Sequence, residues 1–363
     1  MTKKKPRIAI IGLKGLPAFG GAAAVGQNII ENLCNEFSFT VYSTESHSGN
    51  YNNKLIKIIV FKSLKNRNLN TLVYYLKSLF HCFFLSKYDL IHIHHSLTGI
   101  ILPFLRIRYK VVGTIHGLVT FCPDQWTNSE KLIISFVDYL FIKSCNQVTC
   151  VSKYFSNYIC QKYNKQITYI PNGSKKLNIN LADNIKNDLS FGAGRIIPSK
   201  GLHLLLDALE LLNSQLILHV YGDEKYLEDY YMRLKKHSYF KKVVFHGLIK
   251  SKEQLLFEIS KSKIFIFPSN MEAMSMMLLE VASINIPVIA SDIIQNKDIF
   301  NESEITFFKN NNCKNLSSVI EKSLNSFDEL TTKAQLAYDK VHSEYNWNRI
   351  SKCYASTYYK CLR

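Results

Sequence analysis

The 363-residue chain is 47% hydrophobic and 20% charged, and its 45 Lys and Arg outnumber 28 Asp and Glu for a net charge of +17. That length supports two domains with cores of their own, and no run reaches the roughly 18 uninterrupted apolar residues of a membrane-spanning helix. Nine cysteines without CxxC or paired spacing point to a reducing cytoplasm and away from structural zinc.

The positive charge is concentrated. Residues 1–173 hold 20 Lys and Arg against 7 Asp and Glu, net +13 of the total +17. A basic first half implies an anionic partner, whether nucleic acid, a phosphorylated substrate or a lipid surface; a lysine-rich genome would give the same bias without function. Lys3-Lys4-Lys5 runs into Arg7, Gly12, Lys14 and Gly15, which reads as a strand and loop rather than a signal peptide.

In chain order, Arg7 to Ile11 is an apolar strand followed by a loop with glycines at 12, 15, 20 and 21 and a helix over about 22–34. Such a loop lets backbone N–H groups approach a phosphate or sugar, although a tight surface turn has the same composition. It is neither GxGxxG nor a P-loop. Strands are expected at 39–43 and 56–60, then a mixed aliphatic and aromatic helix at 69–85. With Lys54, Lys57, Lys62, Lys65, Arg67, Lys77 and Lys87 around it, this region suits an anionic bilayer or a core-packing helix with a basic rim. Asp89 to His95 alternates like a strand; its histidines lack acidic companions at metal-ligand spacing and read as polar or cleft-edge residues. A strand at 110–115 delivers His116-Gly117 at its end. Helix, strand, helix and strand continue over 130–143, 147–151, 152–163 and 167–170, ending in Pro171-Asn172-Gly173.

Residues 174–188 are polar and patternless, the best linker. A second α/β cycle starts at Leu189, with Gly194-Arg195-Ile196-Ile197-Pro198-Ser199-Lys200-Gly201 leading into a helix to about 212. Strands at 216–221 and 243–245 and a helix over 252–261 follow. Ile264 to Phe267 is then a strand, Pro268-Ser269-Asn270 a turn, and Glu272 and Glu280 stand eight residues apart on one face of a helix running to about Asn285. Two carboxylates above a strand end suit a polyhydroxy ligand; a cap and a stray surface Glu would give the same spacing. Ile286 to Ala290 is the next strand, 313–326 a helix, and 348–359 a closing helix. Arg195 and Lys200 bracket a strand-to-helix turn, where a guanidinium and an ammonium suit a diphosphate and can neutralise its departure; two exposed bases around a proline turn are the alternative. No D-x-D occurs in the chain, so the usual acidic metal–diphosphate grip is missing.

Gly194-Arg195 through Lys200-Gly201 resembles the G-R-x-x-x-x-K-G stretch of the retaining glycosyltransferase family four, of GT-B fold. Glu272 to Glu280 is similar to its E-x7-E element, followed by Pro287-Val288-Ile289-Ala290. Gly15-Leu16-Pro17 through Gly20-Gly21, His116-Gly117 and Ile170-Pro171-Asn172-Gly173 match in order, so the similarity spans essentially the whole chain.

The resemblance implies two Rossmann-like α/β domains facing across a cleft: residues 1–173 on the acceptor side, the linker 174–188, a donor domain at 189–345, and a closing helix at 346–363 that can return to the first domain. It implies metal-independent, retaining transfer from a nucleotide diphospho-sugar, with no cofactor, to a glycan or polyprenyl-diphosphate-linked glycan. Capsule or O-antigen synthesis in the bacterial cytoplasm, or at the inner face of its membrane, is the implied setting. Arg195 and Lys200 then bind the donor diphosphate, Glu272 the transferred sugar and Glu280 the ribose; Gly20 and Gly21 lie near the phosphates and His116 near the donor sugar. Two departures stand out. Ala273-Met274-Ser275 replaces the common Pro-Phe-Gly after the first Glu, where the sugar is met, and Ala22-Ala23-Ala24 replaces an acid after the paired glycines. A nucleotide-sugar epimerase or phosphorylase of the same fold, or a non-catalytic binding subunit, are the competing readings. A nucleic-acid protein fits poorly, because its cations would gather with aromatics in one module.

Overall fold

The structure, a computed structural model, describes residues 4–18, 21–117, 128–176, 187–213 and 215–363. The chain forms two compact units, one of Met1–Asn172 with Trp347–Arg363 and the other of Gly173–Asn346. In the first, β1 (Arg7–Ile11), β2 (Ser38–Thr44), β3 (Ile56–Phe61), β4 (Leu90–Ile93), β5 (Lys110–Ile115), β6 (Gln147–Cys150) and β7 (Ile167–Tyr169) form a seven-stranded parallel sheet in the order β3-β2-β1-β4-β5-β6-β7. The second holds β8 (Asn187–Arg195), β9 (Leu218–Asp223), β10 (Val243–Gly247), β11 (Ser262–Phe267), β12 (Val288–Ser291) and β13 (Thr306–Phe308) in a six-stranded parallel sheet ordered β10-β9-β8-β11-β12-β13.

Parallel sheets of this kind are covered on both faces, so their strands are apolar throughout rather than alternating. Ile8 to Ile11 in β1 and Ile264 to Ile266 in β11 are accordingly buried without exception. Helices begin where a short polar side chain can accept an orphan N–H. Ser152 accepts from Phe155 N at 3.3 Å, Ser251 from Gln254 N at 3.2 Å and Asn312 from Asn315 N at 2.9 Å. In both sheets the strand order reverses beside the first strand of the unit, between β1 and β4 and between β8 and β11. That reversal opens a crevice beyond the carboxyl ends of those strands, where ligands of such sheets bind.

Several elements differ from the expectation. The strand expected over Asp89 to His95 pairs only as β4, which leaves His94 and His95 beyond its carboxyl end. The helix carrying Glu280 spans Met276–Ala282, so Glu272 precedes it on a loop and the two acids do not share a helix face. The cause is local: Ser275 has extended backbone and caps the helix by accepting from Leu278 N at 3.3 Å. The helix ends before Asn285, which takes a left-handed φ of 59°. The helix Arg67–Phe80 passes into a π-helical turn at His81–Leu85, and the helix Phe327–Glu344 was not foreseen. Of the stretch expected as a linker, residues 177–186 lie outside the described residues.

Candidate active site

The second unit carries the four charged residues singled out by sequence. β8 ends at Arg195, and the segment after it turns through Pro198–Lys200 into the helix Leu202–Leu211. Its neighbour β11 ends at Phe267 and passes through Pro268-Ser269-Asn270 to Glu272. The two turns lie on each other. Asn270 N donates to Ser199 O at 2.9 Å, and Ser269 Oγ lies 3.1 Å from the same carbonyl. Gly201 makes this approach possible: its φ is +75°, and a Cβ there would stand 2.1 Å from Pro268 O.

Stacked in this way, the turns bring Lys200 and Glu272 into contact. Lys200 Nζ pairs with Glu272 Oε1, both side chains being largely buried. Ser269 Oγ donates to that oxygen, at 2.7 Å. Ser269 is itself buried, and its carbonyl accepts from Ser291 Oγ at the end of β12. The carboxylate is therefore held from two sides above the central strands, with a cation alongside.

Arg195 and Glu280 have other partners. The Arg195 guanidinium donates to Tyr226 OH at 2.9 Å and lies over that ring, 4.8 Å from its centroid. Glu280 is buried and accepts from Lys252 Nζ at 2.7 Å. Burial raises its carboxyl above the ordinary carboxylate range, and the Lys252 ammonium pulls it back down. Tyr226 and Lys252 meet their partners only through the fold, whereas Ser269, three residues before Glu272, reads in the sequence only as part of a turn. Of the residues replacing the common Pro-Phe-Gly, Ser275 turns its hydroxyl to the helix that follows, and Met274 is buried; Ala273 lies on the same loop as Glu272.

In the first unit, the loop after β1 is held by backbone proximity. Gly12 has φ +101°, a Cβ on it would meet His95 N at 3.1 Å, and its own N–H donates to Tyr74 OH at 3.0 Å. A Cβ on Gly15 would stand 2.0 Å from His47 O. Gly20 lies outside the described residues. Gly21 opens the helix Gly21–Leu33 with φ +55°, and a Cβ there would meet nothing within 4 Å. The N–H groups of the helix's first turn have no intrahelical acceptor.

His116 follows β5, and its Nε2 lies 3.0 Å from Nδ1 of His94, which follows β4; the rings are stacked. His92, one turn of the pleat earlier, is bonded at both nitrogens, 2.7 Å from Tyr358 OH and 2.7 Å from Thr114 Oγ1. Burial holds His92 and His116 at about 3 and His95 at about 4, and drives His94 well below the ordinary range. All four are neutral at physiological pH. They act as hydrogen-bonding groups rather than as cations, and His94 is a neighbour of His116 that sequence did not assign. Among the described residues no group of three or more His, Cys, Asp or Glu is placed to hold a metal ion.

Two family models match consecutive stretches of the chain. A family model described as Glycosyltransferase Family 4 matches residues 19–174, and one described as Glycosyl transferases group 1 matches residues 177–336. The chain belongs to the glycosyltransferases. The transferase is 24% identical over 306 residues, 78% of this chain and 81% of the relative, to an uncharacterized 41.2 kDa protein in the cps region of Klebsiella pneumoniae. Its fold is that of sucrose-phosphate synthase from Thermosynechococcus elongatus, at a TM-score of 0.84, 16% identity and coverage of 98% of this chain and 99% of that one. The Anabaena protein HepE, in a structure with UDP-glucose, superimposes at a TM-score of 0.79 with 18% identity over 98% of this chain and 100% of that one. The transferase thus has the GT-B architecture, two parallel-sheet α/β domains, and its second domain carries Arg195, Lys200, Glu272 and Glu280.

Proposed function

We propose that the chain transfers a sugar from a nucleotide diphospho-sugar to a hydroxyl of a glycan or polyprenyl-diphosphate-linked glycan, with retention of anomeric configuration and without a metal ion. The observation that carries this reading is the Lys200–Glu272 pair at the strand-order reversal of the second unit. It places a cation suited to a phosphate beside an acid suited to sugar hydroxyls, as a departing diphosphate still bonded to its sugar requires. The structure of HepE with UDP-glucose supports a donor of the uridine class, and the relative from a cps region supports a role in surface-polysaccharide synthesis.

In the proposed reaction the bond from the sugar's anomeric carbon to the phosphate oxygen breaks, and the acceptor oxygen bonds to that carbon on the same face. The acceptor proton passes to the departing phosphate oxygen, so no side chain serves as a conventional base. Arg195 and Lys200 balance the charge that grows on the diphosphate, which removes the need for a divalent ion. Glu272 holds hydroxyls of the transferred sugar and Glu280 those of the ribose. Gly21 brings backbone to the phosphates, and neutral His116 donates or accepts a hydrogen bond at the sugar. A nucleotide-sugar donor places the reaction in the cytoplasm, at the inner face of the membrane when the acceptor is lipid-linked.

The test is a panel of nucleotide diphospho-sugars offered with native lipid-linked acceptors, the product weighed by mass spectrometry and its anomeric configuration read by NMR. Transfer with retention, undiminished by EDTA, is expected. Inverted product, or release of nucleotide with an epimerised sugar and no acceptor requirement, overturns the reading.

A further inference from the structure

The first unit turns an unusual amount of hydrocarbon outward. Along the helix Arg67–Phe80, Leu69, Leu72, Leu76 and Phe80 recur at spacings of three and four and are all exposed, while Tyr74, Tyr75 and Ser78 are buried. The stripe continues into the π-helical turn, where Phe84 is 69% exposed and its ring lies 5.0 Å from that of Phe80. Two further helices repeat the pattern. Leu102–Arg108 exposes Phe104 and Ile107, the latter at 76%, and Asn128–Ser144 exposes Leu132 at 75%, Ile133 and Phe136 above buried Ile134, Val137 and Phe141.

The three helices are joined. Arg108 donates to the Phe83 carbonyl and places its guanidinium 5.6 Å from that ring, which ties the second helix to the end of the first. The segment Ser96–Ile100, just before the second helix, lies on the third so closely that a Cβ on Gly99 would stand 2.2 Å from Val137 O. Beside the first helix, an apolar groove of about 410 Å³ is lined by Phe61, Val73, Leu76, Phe80 and Leu85, with Lys77 and His81 as its polar members.

Charge says what covers this face. Residues 54–110 contain ten Lys and Arg and a single acid, Asp89, while the third helix is balanced, with Lys131 and Lys143 against Glu130 and the buried Asp138. The Asp89 carboxylate is engaged, accepting from Arg7 N at 2.7 Å and lying 3.6 Å from its guanidinium. A second copy of the chain laid on the same face would set these cations against one another, and a nucleic acid has no use for a stripe of leucine and phenylalanine. An anionic bilayer satisfies both features, phosphates meeting the lysines and acyl chains the hydrocarbon.

We infer that the exposed faces of Arg67–Leu85, Leu102–Arg108 and Asn128–Ser144 form one surface that docks on an anionic lipid bilayer. Phe84, Ile107 and Leu132 enter the acyl region, and Lys54, Lys62 and Lys65 sit at the phosphates. Sequence alone confined a membrane surface to residues 54–87; the two later helices extend it. The inference goes beyond the transfer reaction and does not depend on which sugar is moved.

The experiment is flotation of the full chain with vesicles of phosphatidylcholine, alone or with about a third phosphatidylglycerol. The wild-type chain should float with the mixed vesicles and be released by high salt. The triple variant Phe84→Ser, Ile107→Asn, Leu132→Asn should bind them at least about tenfold more weakly, and Lys54→Gln, Lys62→Gln, Lys65→Gln should erase the preference for phosphatidylglycerol. Circular dichroism and nucleoside-diphosphate binding should match wild type in both, so a failure here is separable from a failure of the transfer reading. Unchanged flotation of the apolar variant overturns the inference, as does a dimer in vesicle-free sedimentation that this variant abolishes.

Discussion

At the scale of single residues the proposed reaction assigns different work to the acids and the cations. Glu272 is held by Lys200 and Ser269 at one oxygen. Glu272→Ala should therefore suppress transfer by about two orders of magnitude or more, the scale for a lost charged contact to the transition state, while binding of the free nucleoside diphosphate changes little. Calorimetry showing lost nucleotide affinity with intact turnover would contradict the sugar-contact role. Arg195→Ala or Lys200→Ala should weaken nucleoside-diphosphate binding about 10- to 100-fold, corresponding to about 1.5–3 kcal/mol for a charge-assisted hydrogen bond, and leave nucleoside binding nearly unchanged. Equal losses for both ligands would remove the clamp. Lys252 was invisible to sequence because it stands 28 residues from Glu280 and follows a different strand. Lys252→Met leaves Glu280 buried without its cation, so the carboxyl should titrate higher still. Nucleotide affinity should then rise with pH across the range where Glu280 deprotonates; a pH-independent affinity in the variant would separate Glu280 from the nucleotide.

At the scale of elements, the site is two turns held in register, and Gly201 sets their separation. Gly201→Ala introduces a Cβ 2.1 Å from Pro268 O at a φ of +75°. It should destabilise the second unit by about 1–3 kcal/mol and lower transfer by parting Lys200 from Glu272. Gly194→Ala serves as a control, since a Cβ there meets nothing within 4 Å; thermal melts in which both variants behave alike would refute the account. This is also where sequence was informative and where it stopped. Strand ends and loop chemistry are local, so Arg195, Lys200 and Glu272 could be placed at the ends of β8 and β11 from apolar runs broken by Pro and Gly. The helix start was misjudged because the apolar run around Met276 hides its cap, Ser275, among residues that themselves favour helix. The helix Phe327–Glu344 is hidden for a different reason: Ser326 separates it from its predecessor by one residue, and half of its buried stripe, Leu330, Ala334, Ala337 and Val341, is alanine, a weak apolar signal. Tyr226 beneath Arg195 and His94 beside His116 depend on strand neighbours far apart in sequence, which no local pattern encodes.

At the scale of the whole molecule, the closing helix Trp347–Leu362 belongs to the first unit, not to the one it follows. It buries Trp347, Ile350, Tyr354 and Tyr358 there; the Tyr358 ring lies 5.3 Å from that of Phe37, and its hydroxyl meets His92. The helix thus seals a core that keeps histidines neutral, and that core should respond to acid. The folded state holds His92 and His116 at about 3 and His95 at about 4, against an ordinary value of 6.5. Protons then bind the unfolded chain first, so the stability these groups contribute is complete above about pH 6.5 and is lost as pH falls toward their folded values. Each costs about 1.4 kcal/mol per pH unit inside that window. Asp138 opposes the trend, because burial raises it to about 6 and folding then takes up a proton between about pH 4 and 6; Glu280, also raised, acts in the same direction in the second unit. The first unit sets three histidines with stated values, and His94 besides, against one such carboxylate, so its net stability should fall. Urea unfolding followed by loss of the imidazole NMR signals of these histidines should show a lower midpoint at pH 5 than at pH 7, with no titration of His116 in the native state between them. A midpoint that holds or rises, or a native His116 titrating near 6.5, would mean that these imidazoles are hydrated and that the closing helix does not seal them.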